Sequence, residues 1–170
     1  MLRLLGAVLV VGGAGALGLL AAQKLRRRVE NLRAMAGALE LAERELSFRL
    51  PPIPDLFSSL ERRAPAPAGA CFGRCLAGMD RLGEDSLGTL WREAVEETLP
   101  DLAPEDREEL AELGEVLGRY DGEGQRQALA LTRARLERNL ERAEADRDSR
   151  GRLCAALGLT AGAFGAILLL

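Results

Sequence analysis

The chain opens apolar and then turns amphipathic. Residues 4–22 carry no charged side chain, and from Lys24 onward Arg and Glu become dense. Within that polar stretch Leu25, Val29, Leu32, Met35, Leu39, Ala42, Leu46 and Leu50 recur at steps of three and four, the stripe of an amphipathic helix. This helix is expected to continue straight out of the apolar run and to stop near Leu50, where Pro51, Pro52 and Pro54 follow. Proline removes a backbone donor and disfavours helix in the residue before it. A short helix from Asp55 to about Arg63 comes next, with Asp55 as its cap, and residues 64–69, Ala-Pro-Ala-Pro-Ala-Gly, read as a loop.

Two further helices are expected near Cys71 to Leu82 and near Leu87 to Leu99. Gly83-Glu84-Asp85-Ser86 separates them, and its Asp and Ser suit the cap of the second. Trp91 on that second helix reads as a core anchor. Pro104, Glu105 and Asp106 form a helix start, with proline in the first turn and acids where the helix dipole favours them; this helix should run to about Arg119. The last begins near Asp121, carries Leu129, Thr132, Leu136, Leu140 and Ala143 on one stripe, and merges into a second apolar run at residues 153–170. Glu137, Arg138, Glu141 and Arg142 read as its solvated face. No strand pattern of useful length interrupts these helices. The fold class is therefore all-α, an antiparallel helical bundle whose first and last helices lie side by side.

Each apolar run is about 27 Å long at 1.5 Å per residue, close to the hydrocarbon thickness of a bilayer. Two transmembrane helices are expected, in residues 1–23 and 151–170, around a central body at residues 24–150. A signal peptide fits the first run less well, because Leu20-Ala21-Ala22 is a poor cleavage site and basic residues follow it. Lys24, Arg26, Arg27, Arg28 and Arg33 follow the first run, and Arg147, Arg150 and Arg152 precede the second. The positive-inside rule then places the body in the cytoplasm and both termini across the membrane.

Little chemistry is available to such a body. The sequence has no histidine, which removes the commonest general base and metal ligand. Cys71, Cys75 and Cys154 are odd in number, and two thiols four apart without further Cys or any His do not complete a zinc site. A net charge of −3 gives no general basic surface for nucleic acid. Gly13-Ala14-Gly15-Ala16-Leu17-Gly18 matches the GxGxxG dinucleotide fingerprint, yet the second strand that motif needs is replaced by helical spacing over residues 26–50. Small residues in a membrane helix serve close helix contact instead. Gly158, Gly162 and Ala166 recur every four residues in the second run, with Ala161 and Gly165 beside them. No catalytic residue, cofactor, metal or small-molecule substrate is assigned, and the expectation is a scaffold that is not an enzyme.

Several of these segments occur together in one family. Leu5-Gly6, the basic Leu25 to Arg28, the section from Leu39 to Pro54 with Glu45, Trp91-Arg92-Glu93-Ala94, Asp106 to Leu110, Leu117-Gly118-Arg119-Tyr120-Asp121 with Gln125, and the Leu157-Gly158 run to Leu170 resemble the stage III sporulation protein AB family over essentially the whole chain. Around residues 46–52 that family usually has an isoleucine and a threonine where this chain has Leu46 and Pro51. The family is similar to the cytoplasmic domain of the inner-membrane platform protein of type II secretion and type IV pilus machines, which implies a helical bundle. The resemblance implies a place in the mother-cell membrane around the forespore, in the transenvelope complex needed for late forespore gene expression. Implied partners are the other proteins of the stage III sporulation A complex, with its cytoplasmic ATPase, stage III sporulation protein AA, docking from the mother-cell side. An inner-membrane platform in another secretion or pilus machine is the alternative within the same architecture. Asp121 has two readings, an N-cap for the last helix or a charged contact to a partner.

Overall fold

The computed structural model describes the side chains of residues 20–117 and 122–149 and continues its first and last helices as backbone beyond them. Among the described residues there is no strand. Six helices follow one another: α1 (Leu2–Phe48), α2 (Ile53–Arg63), α3 (Ala68–Ala77), α4 (Leu87–Thr98), α5 (Pro104–Val116) and α6 (Gly122–Leu169). A single 3₁₀ turn, Met79–Arg81, follows α3.

Most of these elements stand where the spacing predicts, and the departures have local causes. Helix α1 ends at Phe48, so Leu50 falls outside it and is 69% exposed instead of completing the stripe. Its side chain covers the start of α6, where a Cβ on Gly122 would sit 2.1 Å from Leu50 Cδ2. Asp55 does not cap α2. The helix starts two residues earlier, with Pro52 at the cap position and Pro54 in the first turn, because proline's fixed φ is already helical. The loop at residues 64–69 gives way to helix at Ala68, and α3 stops at Ala77 without reaching Leu82. Ser86 does cap α4, accepting from the Thr89 backbone N–H at 3.1 Å, whereas Asp85 pairs with Arg81. Helix α5 ends at Val116, short of the expected Arg119.

Helices α1 and α6 pack against each other more extensively than any other pair, and α1 also meets α2 and α3. Their antiparallel register is visible in two ion pairs, Arg33 with Glu144 and Arg133 with Glu43, the second at 2.7 Å. Val29, Leu32, Met35 and Leu39 of α1 and Leu129, Leu136 and Ala143 of α6 are buried, so the two stripes predicted from the sequence do form core.

The four shorter helices close the core around an aromatic centre. Phe57 of α2 meets the Phe72 ring of α3 edge-on, with centroids 5.2 Å apart, and Trp91 of α4 lies 5.1 Å from Phe72. The fully buried indole donates from Nε1 to the Leu110 backbone carbonyl of α5 at 2.7 Å, which meets its one polar requirement. Gly114 makes this approach possible. A Cβ there would lie 2.4 Å from Trp91 Cδ1.

One polar group is also fully buried. Asp106, in the first turn of α5, has no exposed surface, and a bare carboxylate there would be costly. Its oxygens accept from Arg28 Nε at 2.8 Å and Arg28 Nη2 at 3.1 Å, from Asn139 Nδ2 at 3.0 Å, and from the Ala103 backbone N–H at 3.1 Å. Arg28 Nη2 also donates to Glu105 at 3.0 Å. These contacts tie α1, α5 and α6 together at one level. The hydrogen bond with Asp106 raises the Arg28 guanidinium further above its ordinary range.

Two outcomes test this packing, read by thermal unfolding followed by circular dichroism. Gly114→Ala should cost about 1–3 kcal/mol by overpacking and far less in a Trp91→Ala background; equal costs in both would refute the contact. Asp106→Ala should cost about 3–5 kcal/mol, the expected loss for breaking a buried pair, and adding Arg28→Ala should cost much less than it does alone. Strict additivity would show that the two side chains do not act as one unit.

Candidate functional site

The residues singled out in the sequence take different places. Trp91 belongs to the core described above and offers no surface to a partner. Leu117, just past the end of α5, is buried and lines an apolar groove at the end of the bundle where α1 stops. Gln125 is half-buried in the first turns of α6. Gly118 and Asp121 lie outside the described residues, as do Gly158, Gly162 and Ala166, so both readings of Asp121 stand as they were. Among the described residues no helix is long and apolar enough to cross a membrane; the two expected transmembrane helices fall mainly on residues outside that description.

Cys71 and Cys75 are buried in α3. Burial pushes both thiols up to about 12, so at neutral pH they remain protonated and inert. Among the described residues no group of three or more metal-ligating side chains comes together. They are small core residues, as their spacing on one helix face suggests.

What the described surface does offer is concentrated at its two ends. At the end where α1 stops, Phe48 is 88% exposed and Leu82 is 48% exposed. The starts of α2 and α4 and the ends of α3 and α5 leave a groove of about 300 Å³, lined by Ile53, Met79, Leu82, Leu87 and Leu117. A second groove of about 610 Å³ runs between α1 and α2, where Leu41, Phe48 and Pro51 are flanked by Arg44, Arg49 and Arg63. Glu45 is held inside it by the Ser59 hydroxyl, which donates at 2.6 Å, and by Arg63. Apolar side chains with a charged margin make a surface suited to protein contact.

The opposite end carries exposed cations of α1 with acids among them. Lys24, Arg26 and Arg27 are exposed there beside the turn between α4 and α5, with Arg27 3.7 Å from Asp101. Arg28, read in the sequence as one more member of this cluster, turns inward to Asp106. That buried centre was not legible beforehand, because its three side chains come from α1, α5 and α6. One signal pointed to it: Asn139 stands between Leu136 and Ala143 on the inward stripe of α6, where an apolar residue is the norm.

The arrangement has a solved counterpart. A structure titled Stage III sporulation protein AB (SpoIIIAB) superposes with a TM-score of 0.61 at 23% identity, covering 72% of this chain and 98% of that one. This is a likeness of fold. Stage III sporulation protein AB of Bacillus subtilis (strain 168) is 26% identical over 172 residues and spans 100% of both chains. The family described as stage III sporulation protein AB matches residues 3–170, so this chain belongs to the stage III sporulation protein AB family.

Proposed function

We propose that this chain is a non-enzymatic, membrane-anchored, platform-like scaffold in the transenvelope sporulation complex between mother cell and forespore. The observation that carries the reading is the antiparallel pairing of α1 and α6. It sends both apolar runs out of the same end of the bundle, and that end bears the exposed basic residues Lys24, Arg26 and Arg27. A hairpin of two anchors with its cations at the bilayer surface is what the positive-inside rule favours on a cytoplasmic face. Membership of a sporulation family supports the setting.

In this reading the body stands in the mother-cell cytoplasm with its α1-terminal end pointing away from the membrane. The exposed Leu82 and Phe48, with the groove that each borders, then form the face offered to the cytoplasmic ATPase of the complex. The remaining proteins of the complex meet the chain at or within the membrane. Late forespore gene expression depends on the chain through these contacts and through no chemistry of its own.

Topology is tested by fusing alkaline phosphatase within residues 65–69 and after Leu170. The internal fusion should be silent and the terminal one active; the reverse pattern would overturn the cytoplasmic assignment. Docking is tested with Phe48→Glu and Leu82→Glu together. Both side chains are exposed, so the variant should unfold at the wild-type temperature while the ATPase is lost on co-purification. Undiminished ATPase recovery would remove this face from the interface.

A further inference from the structure

Most of the charges that line the groove between α1 and α2 are already neutralised inside the protein. Arg44 reaches back along its own helix to Glu40 at 2.5 Å, and Glu45 accepts from the Ser59 hydroxyl and from Arg63. Two charges in the lining are left over. Arg49, just past the end of α1, and Asp55, in the first turn of α2, are both exposed and make no ion pair among the described residues. The α1 side thus offers a free cation and the α2 side a free anion. The same groove takes in the exposed ring of Phe48 and the half-buried Leu41 and Pro51.

These features restrict what can fill the groove. Its apolar surface calls for apolar side chains, since covering Phe48 removes an aromatic ring from water. A uniformly acidic segment would set its charge against Asp55, and a uniformly basic one against Arg49. The walls are two helices, and a hollow of about 610 Å³ between helices suits the ridge of side chains on a third. A second copy related by two-fold symmetry would also set Arg49 against Asp55. That contact brings groove against groove, however, and encloses a void where close packing is needed.

We infer that the α1–α2 groove receives an amphipathic helix of the partner protein, with an apolar stripe on Phe48 and Leu41, an acidic residue at Arg49 and a basic residue at Asp55. The inference rests on the docking face proposed above and adds to it the chemistry of the segment that docks. The apolar stripe supplies the attraction, as in other helix-in-groove contacts. The two charges fix which way the helix lies and reject segments of a single sign.

Co-purification of the ATPase with the full-length chain tests this. Recovery with the unaltered chain should fall as salt is raised, because exposed pairs are screened. Arg49→Asp and Asp55→Arg should each lower recovery by about tenfold or more, since like charges then meet, while Arg49→Lys keeps it. Arg138→Asp, at an exposed position of α6 outside the groove, changes the net charge equally and should leave recovery unchanged. All four side-chain changes are at exposed positions, so unfolding temperatures should match that of the unaltered chain. Arg49→Asp with Asp55→Arg in one chain separates the occupants. A partner helix then meets two reversed contacts and stays unbound. Capture of a differently tagged second copy, lost in each single variant and regained in the double, would overturn the inference in favour of a dimer. Full recovery in both single variants, with recovery lost in Phe48→Glu with Leu82→Glu, would overturn the charged flanks and leave the docking face standing. Recovery kept in every variant would overturn the face as well.

Discussion

A carboxylate with no exposed surface is tolerated only when its lone pairs are met, and Asp106 meets this condition by drawing on three helices at once. Arg28 reaches it from α1, Asn139 from α6, and the Ala103 N–H from the turn that leads into α5. Sliding any one of these helices by a turn would strand a buried charge, a loss of about 3–5 kcal/mol for a pair broken in the interior. Apolar stripes alone discriminate weakly between such slides, since Leu, Ala and Met repeat along α1 and α6. The polar contact therefore penalises slides of this kind, which the apolar stripes tolerate.

That alignment decides what the two ends of the bundle are. With α1 and α6 antiparallel and level, the apolar runs at both ends of the chain leave the body together, and the exposed cations of α1 stand at that junction. Arg28 is withdrawn from this basic group to neutralise Asp106. The opposite end gathers the start of α2, the 3₁₀ turn after α3, the start of α4 and the end of α5, and leaves Phe48 and Leu82 uncovered. The two ends therefore differ, with the exposed cations of α1 at one and the exposed apolar Phe48 and Leu82 at the other.

The aromatic centre holds the short helices against this frame. Trp91 fills the space where α2, α3, α4 and α5 converge, and its indole N–H is satisfied by a backbone carbonyl one helix away. The missing side chain at Gly114 admits the ring. Cys71 and Cys75, buried in the neighbouring helix with their thiols raised to about 12, fill volume there as protonated thiols.

Sequence periodicity determined the all-helical class, the inward stripes of α1 and α6, the cap at Ser86, the helix start at Pro104 and the core role of Trp91, because each depends on residues within a few turns of one another. The family was legible for the same reason, in short segments such as Asp106 to Leu110. At α2 a local rule met a local rival, Pro52 and Pro54 starting the helix ahead of Asp55, whereas Leu50, past the end of α1, lies over the distant Gly122 of α6. Tertiary structure alone decided that Arg28, Asp106 and Asn139 form one centre, that Gly114 is small to admit Trp91, and that Phe48 and Leu82 stay exposed at one end. These are distances between residues far apart in the chain, and a pattern along one strand of sequence fixes which face of a helix turns inward but not which residue of another helix it will meet.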